Sequence, residues 1–359
     1  MAAEGYRQPI VRTGYEEVIP SRVGKMFAYI ATDKGRIISR DDHGVIVEYI
    51  TGEKQGVSLG RNYGHAEGTT YPHDIISPVY INDEVEKGDV IAYNEGFFEP
   101  DILNSKRIIM KNSLYAKTLL LESTQTHEDS SAISIKLSEK FRAKTTKIKS
   151  IVVDFKQGIK NIIPLNTNLH PDDVLLIIED EVMGDTSLFS PEILKTLKRI
   201  SSKAPKSKVK GKLDKIEVYY RGDLDDMSPS LKALAIKSDK LLEAKCLATN
   251  KKIVTGKVSS EYRVSGTQLG IDQAEIKIYI TRSTKAGVGD KLVFSNQMKS
   301  VVGQVIENPI VTESGEEIEA IFGEISGEKR IVLSLKIIGT TASLLEVIQN
   351  KMVKIYEEG

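Results

Sequence analysis

The sequence has no tryptophan, one cysteine and only eight phenylalanines in 359 residues. A single thiol, Cys246, excludes an internal disulfide framework and a thiolate metal site. Charge of one sign is also missing: fifty Lys and Arg balance fifty Asp and Glu. No net field therefore points to nucleic acid or to a membrane, although local patches stay open. No apolar run is long enough to span a bilayer, and the opening MAAEGYRQPIVRTGYEEVIP lacks the apolar centre of a secretory signal. GxxxxGK[ST], HExxH, CxxC and GxSxG are all absent. What remains is expected to be a soluble intracellular chain, too long for one hydrophobic core and so built of several modules.

The patterning that is present is mostly that of strands. Lys25–Ala31, Ile37–Ser39 and Gly44–Thr51 are apolar or alternating runs separated by Gly, Asp and Asn. Asn104–Met110 and Leu114–Leu121 read as a helix edge and a buried strand. Ser130–Phe141 fits strand or helix, and Thr146–Phe155 alternates as a strand does. Pro191–Ile200 and Ser228–Cys246 have helical character, the latter through Leu231, Leu234, Ala235, Leu241 and Leu242. Gly211–Tyr220 and Glu275–Ile280 alternate with period two. Ser343–Tyr356 carries a helical stripe of Leu344, Leu345, Ile348, Met352 and Ile355.

Three groups of residues carry candidate chemistry. His65 and His73 lie near Asp74 and suit either metal ligation or ordinary packing. His127-Glu128-Asp129-Ser130 places two carboxylates side by side. In a strand they would point to opposite faces, so they form a pair only if the backbone turns there; a solvated turn is the alternative. Lys291 and Lys299 flank a short polar loop between apolar strands, where an anion such as phosphate would relieve their repulsion. The run Lys195–Lys212 holds eight Lys or Arg and no acid. It fits a phosphate-backbone patch or a solvated face equally well.

The order of these pieces resembles the C-terminal half of the beta subunit of multisubunit DNA-directed RNA polymerase, in a divergent form such as jumbo bacteriophages encode. Pro9–Glu16 is similar to the family's opening P-L-V-G-T-G-M-E, and Val85–Ala92 to its V-x-x-G-D-x-L-A-D segment. Thr126-His127-Glu128-Asp129-Ser130 resembles the end of its Y-N-F-E-D-S block, and Ser134–Glu139 the I-x-I-S-E that follows. Val209–Val218 resembles the last strand of the flap. Ile276–Ile306, with Gly289-Asp290-Lys291 and Lys299, resembles the stretch that carries two active-centre lysines, and Glu316–Gly339 the segment after it. Departures are clear. Arg-His-Gly is replaced by Ser295-Asn296-Gln297, and the glycine after the second lysine by Ser300. No aromatic precedes the acidic pair, and Phe322-Gly323 stands for Asn-Pro.

The resemblance implies a mixed, strand-rich α+β multidomain chain: a beta-side double-psi β-barrel with an inserted flap-like module. The implied parts are 1–154 (hybrid-binding and first barrel region), 155–225 (flap-like insertion), 226–335 (return to the barrel with the lysines) and 336–359 (helix for subunit contact). With no counterpart of the family's N-terminal half or its clamp-anchoring end, it implies one piece of a split subunit, inactive alone. The implied activity is template-dependent RNA synthesis, a nucleotidyl transfer. Lys291, Lys299, Glu128 and Asp129 would serve the active centre. Lys291, Lys299, Asn296, Gln297, Lys206, Lys208 and Lys210 would contact nucleic acid. Two Mg²⁺ ions would be held mainly by a beta-prime-like partner, with Glu128 and Asp129 reaching the second through water. Further implied partners are an N-terminal beta-like piece, a promoter-specificity subunit, DNA template, RNA and ribonucleoside triphosphates, but no membrane. The implied location is the host bacterial cytoplasm or a phage virion. A non-catalytic assembly scaffold and a free-standing nucleic-acid-binding inhibitor are the competing readings.

Overall fold

A computed structural model describes residues 2–180, 203–295, 298–328 and 334–358. The helix expected at Pro191–Ile200, the first part of the basic run, and Asn296 and Gln297 lie outside the described residues. The chain is strand-rich, and its strands fall into several sheets, none of them closed among the described residues. It divides into two compact units. The first comprises 1–28, 93–143 and 284–359; the second comprises 29–92 and 144–283. Ten strands matter below. In chain order they are β1 (Gly60–Ala66), β2 (Thr69–Ile76), β3 (Thr118–Leu120), β4 (Ser130–Ser134) and β5 (Ala143–Asp154). They continue as β6 (Gly211–Arg221), β7 (Gln273–Thr284), β8 (Lys291–Phe294), β9 (Met298–Ile306) and β10 (Ala320–Phe322). The helices are α1 (Ile135–Lys140), α2 (Pro229–Ala248), α3 (Glu324–Glu328) and α4 (Ser334–Glu358).

In the second unit the main sheet runs β2–β5–β7–β6 through its centre, with β1 paired to β2. Period-two alternation sends Val218 and Tyr220 of β6 to one face with Ile276, Ile278 and Ile280 of β7, and a bulge between Leu213 and Lys215 brings Leu213 to the same face. That face is the larger core, completed by Phe155, Leu175, Leu176 and α2. Ser228 caps α2, its hydroxyl accepting from Leu231 N, and Pro229 begins the helix with its φ already set. The buried stripe of α2 holds Leu231, Ala235, Ser238 and Asp239, while Leu241 is exposed. Asp239 is tolerated there because its carboxylate accepts from Tyr220 Oη (2.8 Å) and Gly256 N (2.6 Å).

The opposite face of the same two strands is polar. Lys215, Glu217 and Tyr219 of β6 meet Glu275, Lys277 and Tyr279 of β7. The Glu217 carboxylate is only 8 % exposed; it pairs with Lys215 and accepts from Tyr279 Oη (2.6 Å) and Tyr219 Oη (3.2 Å). Glu275 accepts from Tyr262 Oη (2.6 Å). Burial pushes the Glu217 carboxyl up. The charge of Lys215 and the hydrogen bonds it receives outweigh this and hold it below its ordinary value of 4.5.

In the first unit the five-stranded sheet has the order β3–β10–β4–β9–β8. β4–β9 and β3–β10 are parallel pairs, and β4–β10 and β8–β9 are antiparallel. Ile133, Leu137, Val302 and Ala320 form its core, and the Phe294 and Phe322 rings meet at 4.9 Å. Chain direction changes at Ser134, whose hydroxyl accepts from Leu137 N (3.1 Å) and starts α1 directly after β4.

Two expectations are corrected. Asn104–Met110 is no helix edge: Ile108–Met110 is a strand paired with Phe98–Pro100. In Leu114–Leu121 only β3 is strand, and Leu119, Leu120 and Leu121 are exposed rather than buried. The reason is position, since β3 is an edge strand with β10 as its one neighbour. Helix α4 forms where the spacing predicts, yet Leu344, Ile348, Met352 and Ile355 stand exposed. No described helix is long and apolar enough to cross a membrane.

The depressed Glu217 value has a signed consequence. Its stabilisation is present above the unfolded value near 4.5 and is lost as pH falls through the lower folded value. Urea midpoints measured from pH 7 to pH 3 should therefore fall less steeply for Glu217→Gln than for the unsubstituted chain.

Candidate functional site

The two lysines sit on an antiparallel hairpin. β8 and β9 pair Lys291 with Val301, Leu292 with Ser300, Val293 with Lys299 and Phe294 with Met298. Directly opposite residues share a face, and alternate residues along a strand share it too. Lys291, Val293, Lys299 and Val301 are therefore on one face, and all four are exposed. Met298, Ser300 and Val302 are buried on the other. The lysines occupy a diagonal of the hairpin, where residues lie about 7–8 Å apart and Cβ atoms somewhat closer. Among the described residues neither pairs with a carboxylate. The neighbouring Asp290 does not serve Lys291; its carboxylate accepts from Gly287 N (2.8 Å). Gly289, with φ of 92°, turns the chain so that its own N–H reaches Val302 O (2.8 Å). Gly289-Asp290 thus builds the turn that places Lys291 first in β8.

The acidic pair lies at the head of β4. Glu128 and Asp129 both have left-handed backbones, with φ of 49° and 65°. Ser130 N donates to His127 O (3.2 Å), so the two form the corners of a tight turn. The backbone therefore turns at the acidic pair. Glu128 is 86 % exposed at its side chain, 3.9 Å from His127 Nε2. Asp129 is partly buried, and its amide donates to Ser326 Oγ (3.3 Å). Its carbonyl accepts from Val301 N (3.1 Å). Val301 is the residue opposite Lys291. At strand spacings of about 4.8 Å, the Asp129 backbone lies about 10 Å from that of Lys291.

Three residues that the sequence did not single out, and Thr126 of the quoted motif, support this arrangement. Thr126 is fully buried; its hydroxyl accepts from Ser123 N (2.9 Å) and donates to Leu121 O (2.8 Å). Glu122 accepts from Ile325 N (2.8 Å), and Ser326 holds the Asp129 amide. Gly303 is the extra residue where β9 bulges against β4, between the pairs Ser131–Val302 and Ala132–Gln304. A Cβ there would lie 2.4 Å from Ser130 Oγ and 3.2 Å from Gln125 O. A glycine inside an apolar strand pattern was the available signal.

The remaining candidates are elsewhere. Lys206, Lys208 and Lys210 belong to the second unit and are exposed, without carboxylate partners among the described residues. The residues between them turn inward: Ser207 is buried and Val209 packs on the core. His65 bonds Thr70 Oγ1 (2.9 Å), His73 is buried, and Asp74 is held by Arg61 (2.6 and 2.7 Å). These three are committed to β1 and β2. Among the described residues no three His, Cys, Asp or Glu side chains converge as metal ligands would. No protein-family model matches the chain, and no curated protein matches it.

Gly303→Ala should lower the urea midpoint, at a cost of about 1 kcal/mol, because Ser130 Oγ must rotate away and the Gln125 carbonyl must give slightly. Adding Ser130→Gly removes the nearest clash and should recover part of the loss.

Proposed function

We propose that the chain is a split beta-like subunit of a multisubunit DNA-directed RNA polymerase and contributes its phosphate-contacting residues. The observation that carries this is the five-stranded sheet of the first unit. It brings two uncompensated lysines and an acidic turn onto neighbouring strands, in the order the family resemblance implies. Parallel pairing of β4 with β9 and of β3 with β10 joins segments far apart in the chain, as a double-psi barrel would require.

On this reading, Lys291 and Lys299 bind phosphates near the RNA 3′ end. Two ammonium groups on one exposed face repel each other less when an anion lies between them. They hold the 3′ hydroxyl in line with the α-phosphate of an incoming ribonucleoside triphosphate and offset the negative charge that accumulates there. Two Mg²⁺ ions, when bound by a beta-prime-like partner, would activate the hydroxyl and stabilise the departing pyrophosphate. Glu128 and Asp129 supply hard oxygen donors on one turn, without a third converging ligand. That set fits a contact to such an ion through water and not its full coordination shell. Asn296 and Gln297, which fall between the two lysines in the sequence, would contact nucleic acid. Lys206, Lys208 and Lys210 offer a second phosphate-backbone surface. The working location is the host bacterial cytoplasm or a virion.

A subunit fits better than a free-standing inhibitor. Leu119–Leu121, and Leu344, Ile348, Met352 and Ile355 of α4, expose apolar surface that a monomer would be expected to bury. The scaffold reading differs in one outcome. Co-expressed with beta-prime-like and N-terminal beta-like pieces, the chain should support extension of a primed RNA in Mg²⁺, and alone it should not. Lys291→Ala should lower the extension rate by at least about 10²-fold, the scale of one lost transition-state contact. An assembled Lys291→Ala complex that extends at the normal rate would establish the scaffold reading instead.

A further inference from the structure

The acidic turn would be of little use if it wandered, and both its corners hold left-handed backbones that a non-glycine residue adopts only when its surroundings impose them. The stretch from Phe322, the last residue of β10, to Ser326 holds the loop on one side, and Val301 N holds the Asp129 carbonyl on the other. Leu121 N donates to Phe322 O (3.0 Å), Ile325 N to Glu122 Oε1 (2.8 Å), and Asp129 N to Ser326 Oγ (3.3 Å). The loop from 121 to 129 is therefore fastened at both ends to residues 322–326. The approach is close: a Cβ on Gly323 would lie 2.6 Å from Thr126 O and 2.8 Å from Glu122 Oε1. Thr126 ties the middle of the loop to itself through its buried hydroxyl.

We infer that Glu122 and Ser326 are positioning residues that form a clamp setting the Glu128–Asp129 turn, and that Glu122 acts as a hydrogen-bond acceptor and not as a third acid of the site. This inference rests on the proposed function for its catalytic consequence only. The chemistry separates the two roles of Glu122. Gln keeps an oxygen acceptor for Ile325 N and loses the charge, whereas Ala loses both. Ser326→Ala removes the acceptor for the Asp129 amide.

The test has two arms. In the chain alone, amide hydrogen exchange across residues 127–131 should quicken about tenfold in Ser326→Ala and in Glu122→Ala and stay at the starting rate in Glu122→Gln. Outer-shell groups of a metal site change metal affinity by about 10–100-fold when removed, and a clamp that acts through the turn's backbone should fall at the low end. In the reconstituted complex, Ser326→Ala and Glu122→Ala should raise the Mg²⁺ concentration for half-maximal extension by about tenfold, with most of the rate recovered at saturating Mg²⁺. Glu122→Gln should not shift it. Unchanged exchange in both alanine variants overturns the clamp. Loss of extension in Glu122→Gln with normal exchange overturns the acceptor role and makes Glu122 an acid of the site. A wild-type complex that extends no RNA overturns the proposed function, and the exchange arm still decides the clamp.

Discussion

Parallel pairing of β4 with β9 is the contact on which the candidate site depends. Parallel strands cannot be joined by a tight turn and need a crossover. Here the crossover is the chain from residue 135 to residue 297, which includes the whole 144–283 part of the second unit. The bond from Val301 N to Asp129 O stands at the head of that ladder. It fixes the acidic turn against the strand whose other edge pairs with β8. A one-residue slip of β8 on β9 would turn Lys291 toward the core, so the packing of Leu292 and Phe294 specifies its face, as burial of Met298, Ser300 and Val302 does for Lys299. Gly303 then absorbs the extra residue through which the two strands would otherwise lose register.

This dependence explains which parts could be read in the sequence. The strands at Gly211–Tyr220 and Glu275–Ile280 and the helix after Ser228 were legible because each has its own period and punctuation. The buried stripe of α2 was not, because Asp239 takes a core position that only Tyr220 and Gly256 make tolerable. Leu119–Leu121 was misread because an apolar run says nothing about whether its strand lies at an edge. In the site, the identities of Lys291, Lys299, Glu128 and Asp129 were legible, but their geometry was not. Whether two lysines eight residues apart share a face depends on the hairpin between them. Whether two adjacent carboxylates diverge depends on a turn whose left-handed corners are Glu and Asp, residues that do not announce such a turn as Asn-Gly would. Glu122 and Ser326 were silent because their partners lie in a distant segment.

Charge is handled in two different ways. The second unit buries Glu217 and Glu275 under lysines and tyrosine hydroxyls, so the polar face of β6 and β7 is internally satisfied and fits a structural role. The lysines of β8 and β9 and those at 206, 208 and 210 are left exposed and unpaired among the described residues. Neutral overall composition thus conceals a local separation of satisfied and unsatisfied charge.

The central claim is that Lys291 and Lys299 face the 3′ end of RNA. It is tested most directly by an assembled complex holding an RNA whose 3′-terminal ribose has been oxidised to a dialdehyde. Borohydride would then fix the ribose to whichever lysine lies beside it, and peptide mass spectrometry would identify the site. Labelling at Lys291 or Lys299, lost when that lysine becomes arginine, is the predicted result. Labelling confined to Lys206, Lys208 or Lys210, or absent from this chain while the complex extends RNA, would contradict the account.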